Sequence, residues 1–400
     1  MLIFISEITP RIFYTFRVIF EHILNSPATF TTNIDVFLAA KGPKIAYSSQ
    51  RIDTSIWVEA TALLFEEGVV KQKITEEKWE DVTLFFPTKG GCFPVDVFAV
   101  IFFLISRYEE YYEDNILDKH GRFQFQHSVA YQLGWHRKLM VHRLALALAQ
   151  LVKTHYPQFV YKVPEYEELS THDVDIAYQY KGKPWWRWCA AVAKALLQGR
   201  FLHAHNYLKT VLGKEVVDPF DNYEPETTSN KVIYFILTAP YGKYDKNIST
   251  KGKAFRNLIN KLKEYSEIGI HPSYYSSRKP SLIEKEKTEL EKISQFTITK
   301  SRQHFLRFRF PDTFRTLITA GISDDYSLGW TNEAGFRASI AVPYPFFDLV
   351  KNEETKLIFH PLALMDGIFS KDEEKVVLNE LREEVKEMGG DLIVLTHNSN

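Results

Sequence analysis

LSTHDVD, Leu169–Asp175, sets two aspartates and a histidine within four residues, directly after the acidic, proline-containing run VPEYEE. In extended backbone the two-residue period puts Thr171, Asp173 and Asp175 on one face and His172 and Val174 on the other. Two carboxylates that converge resist joint ionisation unless a cation lies between them or one keeps a proton. That suits one metal ligand and one general base. The same residues also suit an Asp-rich turn or a helix cap after a strand, and the segment alone leaves both readings open.

Downstream, short β-like segments alternate with helical ones: a helical region over Trp185–Leu212, KVIYFILT, a helix over Lys251–Ser266, EIGIHP and a helix over Ser281–Phe296. HFLRFRF, IFHP, a helix over Glu373–Met388 and DLIVLTHN complete the series. Such alternation predicts a largely parallel α/β sheet or barrel, in which ligands sit beyond the carboxyl ends of the strands. Asp173 and Asp175, His271 and His397 all fall at such ends.

Upstream, strands at DVFLAA, KIAYSS and LFF accompany a helix from Pro94 to about Tyr112, which ends in SRYEEYYED. A second helix over Trp135–Lys153 carries an apolar stripe that includes Leu139, Leu144 and Leu148. THYPQFVYKVPEYEE, rich in proline and poor in periodicity, is the candidate linker. Residues 1–160 are therefore expected to form a smaller α/β domain, and residues 161–400 the larger one.

With 45% apolar and 25% charged residues in 400, the chain has ample material for two cores. Forty-nine basic against fifty acidic residues leave a net charge of -1, so no global field favours nucleic acid or an anionic membrane. Cys92 and Cys189 lie far apart, without the spacing of a disulfide framework or a cysteine zinc site. A reducing, cytoplasmic compartment follows as the expectation. The amino terminus lacks the basic-then-apolar order of a signal peptide. The longest apolar run, Val95–Ser106, is about half of what a bilayer crossing needs and reads as a buried helix.

Three further segments carry chemistry. In EIGIHPSYYSS, His271 precedes a proline, which holds its backbone extended. A structural histidine at a strand end is the alternative. In SRQHFLRFRFP, extended backbone places Arg302 and His304 on one face, where an arginine could hold a carboxylate. Because Arg307 and Arg309 continue the alternation, a basic edge strand is the other reading. DLIVLTHN is an apolar strand ending in His397, and a solvated histidine is its alternative.

In this order the segments resemble those of the NodB-type polysaccharide deacetylases, and more closely a bacterial branch with an amino-terminal domain of the DUF7033 type. The closer likeness rests on FPVDVFAVIFFLISRYEEYYEDN, DKHGRF, IGIHPSYYS, SRQHFLRFRFP, DDYSLGW, GFRASIAVPYPFFDL and MDGIF. THDVD resembles the family's T-F-D-D motif, which implies Asp173 as catalytic base and Asp175 as metal ligand. His271 matches the first histidine of H-[ST]-x-x-H, but Tyr275 stands in place of the second. Arg302-Gln303-His304-Phe305 keeps the arginine of R-x-P-[YF] that positions the base, with His304 in place of the proline. His397 matches the L-x-H histidine that acts as general acid.

The resemblance implies a distorted (β/α) barrel, a divalent metal (zinc first, with cobalt, nickel or manganese as options) and hydrolysis of an N-acyl group on a glycan. Zinc needs about three protein ligands, and Asp175 with His271 supplies two. His304 is the candidate third, and His360, at the end of KLIFHP, is its rival. A non-catalytic glycan-binding or assembly protein and an amidase acting on a non-sugar carbon–nitrogen bond are the alternative functions. The PWWRW cluster, Pro184–Trp188, suits either stacking on sugar rings or a core or interdomain anchor, with the anchor expected from tryptophan's large apolar area.

Overall fold

The computed structural model describes residues 1–223 and 232–398. The chain divides into two compact units. The first comprises Met1–Glu168, Phe308–Arg315 and Asp324–Ile393, and the second Leu169–Arg307, Thr316–Ser323 and Val394–Asn400.

The first unit opens with strands β1 (Leu2–Ile5), β2 (Thr29–Thr31), β3 (Lys44–Ser48) and β4 (Trp57–Glu59), hydrogen-bonded in the order β2-β1-β3-β4. All of these pairings are parallel. Phe4, Phe37, Ala46 and Trp57 share a buried cluster on this sheet. Parallel strands need crossover connections, and helices Pro10–Arg17 and Ile34–Ala39 lie within them. An antiparallel hairpin, β5 (Glu76–Trp79) with β6 (Val82–Phe85), follows. Helix Val97–Ile105 is buried along its whole length, as its composition predicts.

Two expectations for this region need correction. DVFLAA is a helix, Ile34–Ala39, because the Asn33 side chain accepts from the Asp35 and Val36 amides and caps it. The helix expected to run to Tyr112 stops at Ile105, where Arg107 turns left-handed at φ 53° and a short 3-10 segment, Tyr108–Tyr111, begins. The SRYEEYYED cluster packs into its own unit. Arg107 bonds Glu109 and Glu110 at 2.8 Å each, and Arg337 bonds Glu110 at 2.5 Å.

The largest sheet has nine strands: β7 (Tyr166–Val174), β8 (Val232–Ile236), β9 (Glu267–Ile270), β10 (Lys300–Ser301), β11 (Asp324–Asp325), β12 (Tyr344–Asp348), β13 (Glu353–Phe359), β14 (Leu362–Met365) and β15 (Gly390–His397). Their order is β12-β13-β11-β10-β9-β8-β7-β15-β14. The chain is thus mixed α/β. Lys231, the first residue of the strand expected at KVIYFILT, lies outside the described residues.

In the second unit β7, β8, β9 and β10 run parallel. β8 is buried at every residue, as expected of a strand covered on both faces. Helix Lys253–Leu262 buries Phe255, Leu258, Ile259 and Leu262, and helix Ser281–Ser294 buries Ile283 and Leu290. The helical region expected over Trp185–Leu212 is two helices, Trp185–Leu197 and Phe201–Val211, parted at Gly199 with φ +67°.

Gly269 in β9 is required by a close approach, since a Cβ there would lie 2.6 Å from the Phe235 ring. Gly269→Ala is expected to cost about 1–3 kcal/mol through overpacking, and Phe235→Ala about 3–5 kcal/mol through the void it leaves. Denaturant midpoints of the purified variants test both values.

Candidate metal centre

Adjacent parallel strands deliver their chemistry at one end. Asp173 is the penultimate residue of β7 and Asp175 follows that strand, while His271 follows β9 and Arg302 follows β10. All four belong to the second unit. This is where open α/β sheets place their ligands.

HFLRFRF is not the expected strand. His304–Leu306 forms a 3-10 turn with Phe305 at φ 65° and Leu306 at φ 45°. Neither Arg302 nor Arg307 belongs to a basic edge. Arg302 is fully buried, and the Arg307 guanidinium donates to the Tyr274 carbonyl at 2.9 Å and lies 4.6 Å from its ring. Tertiary partners outweigh the alternation. The turn, rather than a strand face, brings His304 beside Asp175.

The two imidazoles are committed in the same sense. His271 Nδ1 lies 2.6 Å from the Arg302 carbonyl oxygen, and His304 Nδ1 lies 2.9 Å from Asp245 Oδ1. A carbonyl or carboxylate only accepts, so Nδ1 carries a proton in both rings and Nε2 is left to hold a second proton or a cation. Both Nε2 atoms face one oxygen, Asp175 Oδ1, at 3.1 Å from His271 and 3.4 Å from His304. Ligand atoms of Asp175, His271 and His304 all lie within 4.8 Å of one another.

Asp175 Oδ1 and His271 Nε2 are buried and make no hydrogen bond. A lone pair turned toward a carboxylate oxygen is repulsive unless something positive joins them. Zinc bonds of about 2.0–2.2 Å at tetrahedral angles separate ligand atoms by about 3.3–3.6 Å, so the donors fit such a cation in type and spacing. The Asp175 side chain is 24% exposed, which leaves the group open to solvent on one side.

Electrostatics agree. Burial disfavours a charged His304, yet Asp175 and Asp245 overcome it and push the imidazole up to about 10. Burial likewise opposes an ionised Asp175, but the charge of His304, with His271 beside it, holds that carboxyl well below its ordinary range. A place that draws a proton so strongly draws a metal cation for the same reason.

Asp173 sits alongside. Its Oδ1 accepts from Arg302 Nη1 at 3.1 Å, and its Oδ2 is 3.6 Å from His271 Nε2. The Arg302 guanidinium lies 4.5 Å from the Phe235 ring, which holds it in place. His397 ends β15, the sheet neighbour of β7. Its chain neighbours are tied to residues flanking the two aspartates: Thr396 Oγ1 lies 2.6 Å from His172 Nδ1, and Asn398 Nδ2 donates to the Ile176 carbonyl at 2.9 Å.

Tyr275 and His360 have other partners. Tyr275 is 42% exposed and packs with Tyr244 and Tyr274, and His360 pairs with Asp324 at 2.7 Å. His360 is not in the group formed by Asp175, His271 and His304.

Two participants escaped the sequence reading. Asp245 sits in APYGKYDKN, a lysine-rich loop with no periodicity, yet it is buried and accepts from both His304 and the Tyr274 amide. Glu286 lies on the inward side of helix Ser281–Ser294 and accepts from the Ser273 amide at 2.8 Å, steadying the turn after His271. Burial pushes its carboxyl up to about 7. Its sequence signal was its helical spacing from Ile283 and Leu290, in a helix that also carries Glu284, Glu289 and Glu291.

Among known proteins, residues 1–157 match the model of a family described as "Family of unknown function (DUF7033)". No curated protein matches the chain. A crystal structure described as a "putative polysaccharide deacetylase from Mycobacterium smegmatis" matches at 15% identity and a TM-score of 0.34, covering 59% of this chain and 77% of that one. A likeness of that size carries no argument about chemistry. No helix among the described residues is long and apolar enough to cross a membrane.

Proposed function

We propose that the chain is a metal-dependent hydrolase that removes an acyl group, an N-acetyl in the first instance, from a glycan. In this reading residues 161–400 are a deacetylase-type (β/α) barrel and residues 1–160 a separate α/β domain. The observation that carries it is the convergence of two Nδ1-committed histidines on one carboxylate oxygen, beside a second carboxylate held by a buried arginine.

Asp175, His271 and His304 would hold a divalent cation, zinc first among those that suit one oxygen and two nitrogen donors. Such a cation, when bound, lowers the pKa of a water and polarises an acyl oxygen. Asp173 accepts the proton of the attacking water, and Arg302 fixes the direction of its carboxylate. The oxygen joins the acyl carbon, the carbon–nitrogen bond breaks, and His397 gives a proton to the departing amine. Acetate and a free amino sugar result. Tyr275 lies among aromatic rings that suit a sugar face.

The direct test combines metal analysis of the purified protein with acetate release from N-acetylated oligosaccharides. About one divalent ion per chain and measurable acetate are expected. Metal-free protein that releases no acetate from any such glycan, even with added zinc or cobalt, would refute the proposal.

Asp245 gives a finer prediction. A carboxylate behind a metal-binding histidine fixes its tautomer and raises its basicity, and losing one typically costs about 10–100-fold in metal affinity. Asp245→Asn should show a loss of that size in a chelator competition. An unchanged affinity would mean that the Asp245–His304 bond serves folding alone.

A further inference from the structure

The two helices between β7 and β8 present the wrong face to water. In Trp185–Leu197 the exposed residues include Trp185, Trp186, Cys189, Ala193, Leu196 and Leu197, which recur at helical spacing on one side. In Phe201–Val211 and the residue after it, Phe201, Leu202, Leu208, Val211 and Leu212 do the same. Exposures of 74% at Trp185, 89% at Leu197, 69% at Phe201 and 72% at Leu212 are those of side chains with almost no protein cover.

The inward side is accounted for. Ala195, Ala204 and Tyr207 are buried, Trp188 Nε1 donates to the Tyr180 carbonyl, and Arg187 donates to the carbonyls of Lys246 and Asn247. The hairpin is therefore docked by its polar and small residues. Among the described residues its apolar stripe belongs to no core, and the core anchor expected of PWWRW is corrected for Trp185 and Trp186, which are 74% and 48% exposed. A contiguous exposed apolar surface of this kind marks an interaction site.

Charge selects the partner. Residues 181–214 contain seven lysines and arginines and no aspartate or glutamate, in a chain whose net charge is -1. Lys194, Arg200 and Lys214 are exposed beside the stripe. We infer that this hairpin docks on the surface of a lipid bilayer bearing anionic headgroups, with its aromatic and aliphatic stripe in the interface and its cations among the headgroups. A second copy meeting the same face would set Lys194, Arg200 and Lys214 of one copy against the same cations of the other. A glycan would leave the leucines without a partner.

The proposal does not depend on the metal centre, and the full-length chain tests it by flotation with vesicles of phosphatidylcholine, with and without phosphatidylglycerol. Binding to the anionic vesicles is expected, with a blue-shifted tryptophan emission, weakening as the screening length falls from ~10 Å at 0.1 M salt to ~3 Å at 1 M. The combined Leu197→Glu, Phe201→Glu and Leu212→Glu variant should lose at least about a hundredfold in partitioning. Lys194→Gln, Arg200→Gln and Lys214→Gln should each lose about fivefold. Thermal melts of these surface variants should match the parent protein. No flotation with either vesicle overturns the inference, as does a triple variant that floats like the parent. Self-association that the triple variant abolishes, without vesicle binding, would assign the face to a second copy.

Discussion

His271→Ala is expected to reduce the bound divalent metal from about one ion per chain to less than about a tenth, because two donors do not make the three that a zinc centre requires. His271 Nε2 lies 3.1 Å from Asp175 Oδ1, and its Nδ1 is held by the Arg302 carbonyl. Hydrolysis should disappear with the metal. Asp175→Asn should act alike, since it removes the charge that both imidazoles face. His360→Ala is the control: that ring is paired with Asp324, so metal content should stay at the parent level. Plasma emission spectrometry on dialysed protein measures each outcome, and circular dichroism shows whether the variants are folded. A His271→Ala protein that keeps its metal would place the ion elsewhere or nowhere.

Asp173→Asn should separate binding from chemistry. Asp173 is assigned no ligand role, so metal should remain near one ion per chain while acetate release falls by about 10²–10⁴-fold, the range for losing a general base. An amide oxygen still accepts from Arg302 Nη1, so the geometry survives while the basicity is lost. Arg302→Lys should fall between the parent and Asp173→Asn, because an ammonium cannot reproduce the planar guanidinium that lies against Phe235 and points at Asp173. Steady-state acetate assays at saturating substrate test both. If Asp173→Asn loses metal together with activity, Asp173 is a ligand and the assignment of the base is wrong.

The segments that were legible were those whose chemistry depends on local backbone geometry. The two-residue period of a strand places Thr171 and Asp173 together, and both are buried on β7, while Asp175 lies just past its end. His271 at a strand end and the apolar helix after Val95 were equally plain. Where the reading depended on alternation without a cap or a break, it failed: Asn33 turns DVFLAA into a helix, and the left-handed Phe305 turns HFLRFRF into a loop. Net charge misled in another way, because -1 over the whole chain conceals a stretch, residues 181–214, with seven cations and no acidic residue of its own.

By itself, then, the sequence determined which residue types stand at the ends of which strands, because hydrophobic period and strand direction follow from the chain's own stereochemistry. Only the tertiary structure decided that His304 faces Asp175, that Asp245 stands behind His304, and that the apolar stripes of Trp185–Leu197 and Phe201–Val211 point outward. Those facts depend on contacts between residues far apart in the chain, where local periodicity carries no information about which face of an element finds a partner.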